Sequence, residues 1–267
     1  MLKSGTAAIS RISFRRLFPP LNEGQQHVRV VVNTALAKRM RQISQYLFFV
    51  TFAIPLLGFF ILNSQPESIF VAVVLPVIVL VIALVVTVIS VRLANLWVRV
   101  PRPEEVIPEN LKGIGKQSVL YSYYHFPARH VLIAPQGVFA LTVMYHDGRF
   151  SVDQDKWTRH QSGFARVASI FRFDSIGNPT AEARQAADHV QKLLADIAPD
   201  VEVQPIIVFT DPKVVVEVGE TSVPVVAADS NQKKGSLKDY IWTTGRGRFK
   251  TLTPEQLEAF EAATVGT

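Results

Sequence analysis

Residues 42–91 read QISQYLFFVTFAIPLLGFFILNSQPESIFVAVVLPVIVLVIALVVTVISV, and this stretch decides the architecture of the chain. Glu67 is its single charged side chain. Each of the two apolar runs that Glu67 separates is longer than the roughly 20 helical residues needed to cross a bilayer core about 30 Å thick. The pattern predicts a membrane hairpin with helices at 46–62 and 69–91, joined by a turn at 63–68.

The distribution of charge predicts how this hairpin is oriented. The chain of 267 residues has a net charge of +6, but residues 1–100 carry ten Lys and Arg against two Glu, whereas residues 101–267 carry 18 basic and 20 acidic side chains. The basicity therefore belongs to the flanks of the hairpin. Lys and Arg near span ends stay on the cytoplasmic side, which predicts a two-span protein of the lipid bilayer with both termini cytoplasmic.

The chain divides into four parts on this interpretation. Residues 1–41 are a basic N-terminal arm and a pre-membrane helix, 42–92 the transmembrane hairpin, 93–109 a linker and 110–267 a mixed α/β domain. The arm is expected to lie on anionic headgroups, and residues 28–43 to form a helix that runs into the first span. Three prolines within residues 100–108 predict an extended linker. The chain has no cysteine, which excludes disulfides and Cys-ligated metals.

The pattern beyond the linker alternates between strands and helices. Residues 130–134, 138–145 and 149–152 are predicted to form an antiparallel meander, with the Asp147-Gly148 turn before its third strand. An amphipathic helix at 181–198 is expected to cover the sheet. The remaining expected elements are strands at 119–124, 203–209, 214–218 and 222–227, and helices at 237–242 and 253–263. The fold class is thus a helical transmembrane hairpin plus a cytoplasmic mixed α/β domain.

Several segments of this domain carry a resemblance to a known family. They are residues 130–139 (HVLIAPQGVF), 145–150 (YHDGRF), Trp157, Asn178-Pro179 and 205–210 (PIIVFT). In this order and spacing they resemble the nuclease-related domain (NERD) family over about residues 119–243. The family is similar in fold to the PD-(D/E)XK nucleases, so the resemblance implies that fold here.

The resemblance also implies where a nuclease would hold its metal. The family uses an Asp at the start of one strand and a Glu-x-Lys in the next, because carboxylates bind a hard divalent cation and the Lys supports the attacking water or the phosphate charge. The corresponding positions here are Arg129, Thr142 and Met144. Arg cannot ligate a cation, and Met is unsuited to Mg²⁺. The sequence predicts no metal, no cofactor and a non-catalytic domain.

Two other groups of residues are candidates for chemistry. A relocated metal site could use Asp147, Asp153, Asp155 or Glu182, which are more simply explained by a turn, a solvated segment and the polar side of a helix. The soluble domain has one local basic cluster, and Phe249 within it could stack on a base. Its members could contact nucleic acid or lipid headgroups: Arg246, Arg248 and Lys250.

The function predicted from the sequence is that of a scaffold or accessory subunit in an assembly of membrane proteins. Pro55 and Gly58 suit packing of the first span against other helices, because helix contacts in membranes favour small residues. The alternatives are a membrane-tethered, metal-dependent nuclease with unusual ligands and a nucleic-acid-binding protein. The expected partners are the bilayer and other membrane subunits, with nucleic acid not favoured.

Overall fold

A computed structural model of the protein describes residues 28–64, 68, 70–115, 117–160, 176–229, 235–245 and 247–265. The predicted N-terminal arm up to residue 27, the centre of the predicted turn at 65–67 and Arg246 lie outside these residues. In chain order the described part forms β1 (Arg29–Val32), α1 (Thr34–Asn63), a π-helical turn (Phe70–Val74), α2 (Leu75–Trp97), α3 (Pro103–Asn110), β2 (Val119–His125), β3 (Ala128–Ala134), β4 (Gly137–Met144), β5 (Arg149–Asp153), β6 (Lys156–His160), α4 (Pro179–Leu194), β7 (Val203–Phe209), β8 (Val215–Val218), β9 (Val225–Ala227), α5 (Leu237–Thr244) and α6 (Pro254–Thr264).

The main sheet is mixed and has the strand order β1-β2-β3-β4-β7-β9. Strands β2, β3 and β4 form an antiparallel meander, in which His130 lies opposite Leu141. Strand β7 then runs parallel to β4, and β9 parallel to β7. Buried side chains on both faces explain why β7 reads as a nearly continuous apolar run. The α/β class expected from the sequence is confirmed.

Helices cover both faces of this sheet. The first face carries Val131, Ile133 and Val138, which pack against α4 and α6. The opposite face carries Leu132 and Phe139, which pack against α3 and α5. Alternation along the strands sends successive side chains to opposite layers, so one sheet divides two cores. Asn178 caps α4 by accepting from the Ala181 N–H, and Thr253 and Gln256 form the capping box expected for α6: all of these N-caps match the sequence signals.

The predicted meander is wrong in its third strand. Strand β5 belongs to a smaller sheet with the order β6-β5-β8, because β7 occupies the edge of β4 that β5 would have taken. The tight turn lies later than expected, at Gln154 and Asp155, which both have positive φ and connect β5 to β6. This two-residue turn has the backbone conformation that suits a β-hairpin.

The segment before the hairpin also differs from expectation. Residues 29–32 are a strand, β1, which pairs in parallel with β2 so that Arg29 lies opposite Val119 and Val32 opposite Ser122. Asn33 then ends the strand and caps α1, since its side chain accepts from the Leu36 N–H at 3.0 Å. The run of β-branched residues at 30–32 favours the strand over the predicted helix.

Helices α1 and α2 form the predicted hairpin. The stretches Thr34–Ile61 and Ala72–Trp97 are long and apolar enough to cross a membrane, and only 11% and 0% of their most apolar windows are buried in the protein. The apolar core helix of a soluble domain would be mostly buried instead. Gly58 of α1 faces Val79 of α2 so closely that an added Cβ would lie 2.9 Å from its methyl group. Gly58 therefore allows the two helices of the hairpin to pack closely against each other.

A cluster of contacts, here called the junction, joins the foot of the hairpin to the sheet. Trp97 at the end of α2 packs on Tyr123 of β2, with ring centroids 4.8 Å apart, and Ala37 of α1 is buried beside them. Arg41 donates from Nε to the Trp97 carbonyl oxygen at 3.1 Å and forms an ion pair with Glu104. The second Glu104 oxygen accepts from the Tyr123 hydroxyl at 2.8 Å.

Helix α3 takes the place of the extended linker that the three prolines predict. Pro103 occupies the first turn, where its missing N–H costs nothing, and Glu104 and Glu105 follow in that turn, where carboxylates suit the helix dipole. Ile107 is fully buried in the core beneath the sheet. The linker was thus misread because proline at the start of a helix looks, in sequence, like proline in an extended chain.

The contacts of the junction predict that Glu104 contributes more to the stability of the fold than its neighbour Glu105. Glu104→Gln leaves the partly buried Arg41 without its counter-charge, and we expect a loss on the order of 2–3 kcal/mol in the free energy of unfolding. Glu105→Gln is the matched control, because Glu105 pairs with Arg102 at 3.3 Å on the surface and should contribute under about 1 kcal/mol. Thermal unfolding of the full chain in detergent, followed by tryptophan fluorescence, measures both. Equal shifts would contradict the role of the junction.

A candidate site at the foot of the hairpin

A cleft of about 270 Å³ lies where the main sheet meets the end of α2. One wall is the foot of the hairpin, with Asn95, Leu96 and Arg99. The other walls come from the start of β3, the ends of β4 and β7 and the first turns of α4. Parallel strands β4 and β7 both end here, and the carboxyl ends of parallel strands are where open α/β sheets commonly bind ligands.

Two of the three positions implied by the nuclease resemblance come together at this cleft. The β3–β4 register pairs His130 with Leu141, so the next residues, Arg129 and Thr142, are cross-strand neighbours. Both line the cleft. Met144 does not, because it is buried with Phe150 and other apolar side chains in the third core cluster. Two of the three implied positions therefore meet at the cleft, and neither carries a carboxylate.

The charged groups of the cleft are unequally paired. Arg99 forms an ion pair with Asp211 at 3.6 Å and lies over the ring of Tyr145, 5.2 Å from its centroid. Arg129 is half-buried, and among the described residues its guanidinium has no hydrogen bond and no ion pair. Glu182 of α4 is exposed and likewise has no ion-pair partner within the described part of the chain. The cleft therefore offers one unpaired cation and one unpaired anion.

Two neighbours of Arg129 are held neutral. Burial, assisted by the positive charge of Arg129, lowers the pKa of His130 to about 3. His130 Nδ1 lies 3.0 Å from the Ser122 hydroxyl oxygen, which provides the hydrogen bond a buried neutral imidazole requires. Burial and the nearby Glu104 carboxylate raise the pKa of Tyr123 above its ordinary range. Neither residue offers the cleft an ionised group near neutral pH.

Most of the carboxylates considered for a relocated metal site accept hydrogen bonds or form ion pairs within the fold. Asp155 accepts from the Ser222 N–H at 2.9 Å, which lowers the pKa of Asp155, and it also pairs with Arg184 at 2.8 Å. It thereby holds the loop at residues 221–222, within a turn that is exposed at Asp153, Gln154 and Lys156, in line with the solvated segment predicted there. Asp153 accepts from a backbone N–H at residue 220, and Asp147 lies 3.7 Å from Arg159. Within the described ranges no group of three or more His, Asp or Glu could hold a metal ion.

The predicted basic cluster is not part of this cleft. Phe249 packs edge to face on Phe139, with centroids 6.2 Å apart, which contradicts the idea that its ring is free to stack on a base. Lys250 forms an ion pair with Asp200 at 2.9 Å, and Arg248 lies over the Phe249 ring. Phe249, within this cluster, lies beside Gly137 in the β3–β4 turn, at the opposite end of these strands from Arg129, whereas Arg246 is outside the described residues.

The comparisons with known proteins concern the part of the chain that forms this cleft. The family model described as nuclease-related domain (NERD) matches residues 105–210. This part of the chain is therefore a nuclease-related domain, and it follows two helices that are long and apolar enough to anchor it in a membrane. The match begins within α3 and ends just after β7. No curated protein and no solved structure matches the chain.

Sequence reasoning missed two members of the site. Asp211 follows directly after the central strand β7, and the end of a buried parallel strand is a signal that could have identified it. Arg99 was counted only as a basic flank of the hairpin. Its place in the cleft depends on how the chain turns after Trp97, which periodicity does not encode.

The buried histidine predicts an acid-dependent loss of stability. The folded state keeps His130 neutral to about pH 3, whereas an unfolded chain protonates it below its usual pKa of 6.5. Its contribution is therefore full above pH 6.5 and is lost as the pH falls toward 3, by an amount on the order of 4 kcal/mol. His130→Gln should flatten the fall of the thermal midpoint between pH 6.5 and 4, while the exposed His160→Gln should leave the slope unchanged. Parallel slopes for the two variants would contradict this assignment.

Proposed function

We propose that the protein is a membrane-anchored, non-cleaving member of the nuclease-related group that serves as a scaffold or accessory subunit of a membrane assembly. The observation that carries this proposal is the replacement of the metal-binding positions by Arg129, Thr142 and Met144 at the edge of the sheet. A guanidinium repels the divalent cation that hydrolysis of a phosphodiester by this family requires. The buried Met144 leaves no basic group to support the attacking water.

The order of elements supports a relationship to the PD-(D/E)XK nucleases. Helix α3 precedes the β2–β3–β4 meander, and α4 then leads to β7, which lies parallel to β4. In such a framework the cleft is the natural place for chemistry. The fold alone does not supply an activity, so the side chains at the cleft decide the proposal.

The pairing of β1 with β2 supports the orientation of the hairpin. The chain leaves β1 directly into α1 and returns through α2 and α3 to β2. Two strands joined by hydrogen bonds lie on the same side of a bilayer, so both ends of the hairpin share that side. The basic residues that flank the hairpin support the proposal that this side is the cytoplasmic one.

The exposed surface of the hairpin is compatible with the proposed accessory role. Apolar side chains such as Phe49, Phe52 and Leu80 point away from the protein on both helices. Gly58 packs within the hairpin, so the expectation that it marks a contact with another subunit loses its support. The contacts of the junction join the α/β domain directly to both helices, so the domain can hold a position at the membrane without catalysing a reaction.

The absence of cleavage is directly testable. The full chain in detergent, incubated with single- and double-stranded DNA and RNA in Mg²⁺ or Mn²⁺, should cleave none of them above a protein-free control. The expected reason is that no trio of metal ligands meets in the described part of the cleft. Cleavage that disappears in Glu182→Gln or Asp211→Asn, the two carboxylates that line the cleft, would overturn the proposal in favour of a tethered nuclease.

The accessory role requires its own measurement. Purification of the full chain from native membranes in a mild detergent should yield a complex whose mass exceeds that of the 29.7 kDa chain with its bound detergent. Mass spectrometry of the purified complex should identify at least one further multi-span protein in a fixed ratio. A lone monomer under these conditions would contradict the accessory role without affecting the prediction of no cleavage.

A further inference from the structure

We propose that the cleft binds the headgroup of a membrane phospholipid, with Arg129 as the residue that contacts the phosphate. This inference rests on the proposed membrane anchoring, and it adds a ligand to the same site. The first reason is position. Arg92 is the first charged residue after the apolar run of α2, and Asn95 in the cleft wall is about 4.5 Å further along the helix axis. The headgroup region extends roughly 5–8 Å beyond the hydrocarbon core, so the cleft opens at headgroup depth.

Aromatic side chains lie at the same depth as the cleft. Trp97 lies at the end of α2 with Phe126 stacked near it, their ring centroids 6.1 Å apart, and 41% of the Phe126 surface is exposed. Aromatic rings with one face on apolar groups are common at the interface between bilayer and water. A lipid beside the hairpin can therefore place its chains along α2 and its headgroup against the cleft.

The second reason is the state of Arg129. A half-buried guanidinium without a counter-charge costs free energy, because part of its hydration is lost and nothing replaces it. The described residues supply no carboxylate or carbonyl to it. The planar guanidinium donates two parallel hydrogen bonds to a phosphate, and the neighbouring Thr142 hydroxyl can donate a third. A phosphate in the cleft satisfies the group that the fold leaves unpaired.

The third reason is the sign of the remaining charges. Arg99 and Asp211 pair with each other, which leaves Arg129 and Glu182 as the unpaired charges of the cleft. They have opposite sign, and no ion pair forms between them. A headgroup with both a phosphate and a primary ammonium, such as phosphoethanolamine, matches both signs. We therefore expect phosphatidylethanolamine to be retained in preference to phosphatidylglycerol.

The test measures which lipids stay with the protein. The full chain is reconstituted into bilayers of phosphatidylethanolamine, phosphatidylglycerol and a phosphate-free galactolipid, then extracted in mild detergent and analysed by native mass spectrometry. Wild-type protein should retain one phospholipid and no galactolipid. Arg129→Gln should lower the retained fraction about ten-fold or more, which is the expected effect of losing a charge-assisted contact.

Two further variants make the result specific. Arg149→Gln removes an exposed cation of β5 outside the cleft and should retain lipid as the wild type does. Gln185→Glu adds a negative charge on the exposed side of α4 at the cleft and should lower phospholipid retention without disturbing the core. Glu182→Gln should abolish the preference for phosphatidylethanolamine over phosphatidylglycerol. Thermal midpoints of all variants verify that they are folded.

The outcomes separate this inference from the proposed function. Equal retention by the wild type, Arg129→Gln and Arg149→Gln would overturn the inference, as would binding of inorganic phosphate or glycerol 3-phosphate by a protein that retains no phospholipid. Extraction of the chain from native membranes by alkaline carbonate reports the anchoring separately. Release into the soluble fraction would overturn the membrane proposal itself, whereas resistance to carbonate together with Arg129-independent retention would overturn the lipid site alone.

Discussion

The parallel pairing of β1 with β2 is the constraint on which the rest of the structure depends. It joins residues on either side of the helical hairpin, so Arg29 lies beside Val119 although α1, α2 and α3 intervene in the chain. Backbone hydrogen bonds fix the distance between the ends of the hairpin, and the junction fixes its angle to the sheet. The cleft exists because both are fixed: one wall belongs to the hairpin and the others to the nuclease-related domain.

Most of the helices and strands can be predicted from the sequence because the signals for them lie within a few neighbouring residues. The long apolar runs of α1 and α2, the three-and-four spacing of apolar residues in α4 and the caps of α4 and α6 depend on neighbouring residues, and each predicts the element that the structure has. The errors arose where distant partners decide. Residues 29–32 carry a local strand signal in their β-branched run, but their pairing with β2, like the exclusion of β5 from the meander by β7, depends on parts of the chain that are far apart in sequence. Such competition for sheet edges is not encoded in any single window of sequence.

In the candidate site, too, the sequence identifies some residues and misses one whose position depends on distant parts of the chain. The resemblance placed Arg129 and Thr142 as counterparts of catalytic residues, and the β3–β4 register brings them side by side. It gave no indication that Arg99 would face them, because that contact depends on how α2 meets the sheet. Charge counting assigned Arg99 to the membrane flank as one of a group of basic residues. The structure distinguishes it from Arg129 by its partners, since Arg99 pairs with Asp211 and Arg129 has no hydrogen bond or ion pair among the residues that the structure describes.

An arginine at position 129 changes which ligands the edge of the sheet can bind. A carboxylate there would bind a phosphate indirectly, through a divalent cation held between two negative groups. A guanidinium binds a phosphate directly and repels a divalent cation, so under the proposed function Arg129 favours phosphate binding over metal-dependent hydrolysis. Since the hairpin foot forms a wall of the same cleft, the phosphates nearest to Arg129 in an anchored protein are those of the bilayer. The two proposals, absence of hydrolysis and binding of a lipid phosphate, thus rest on the same feature, the positive charge of Arg129 in the cleft.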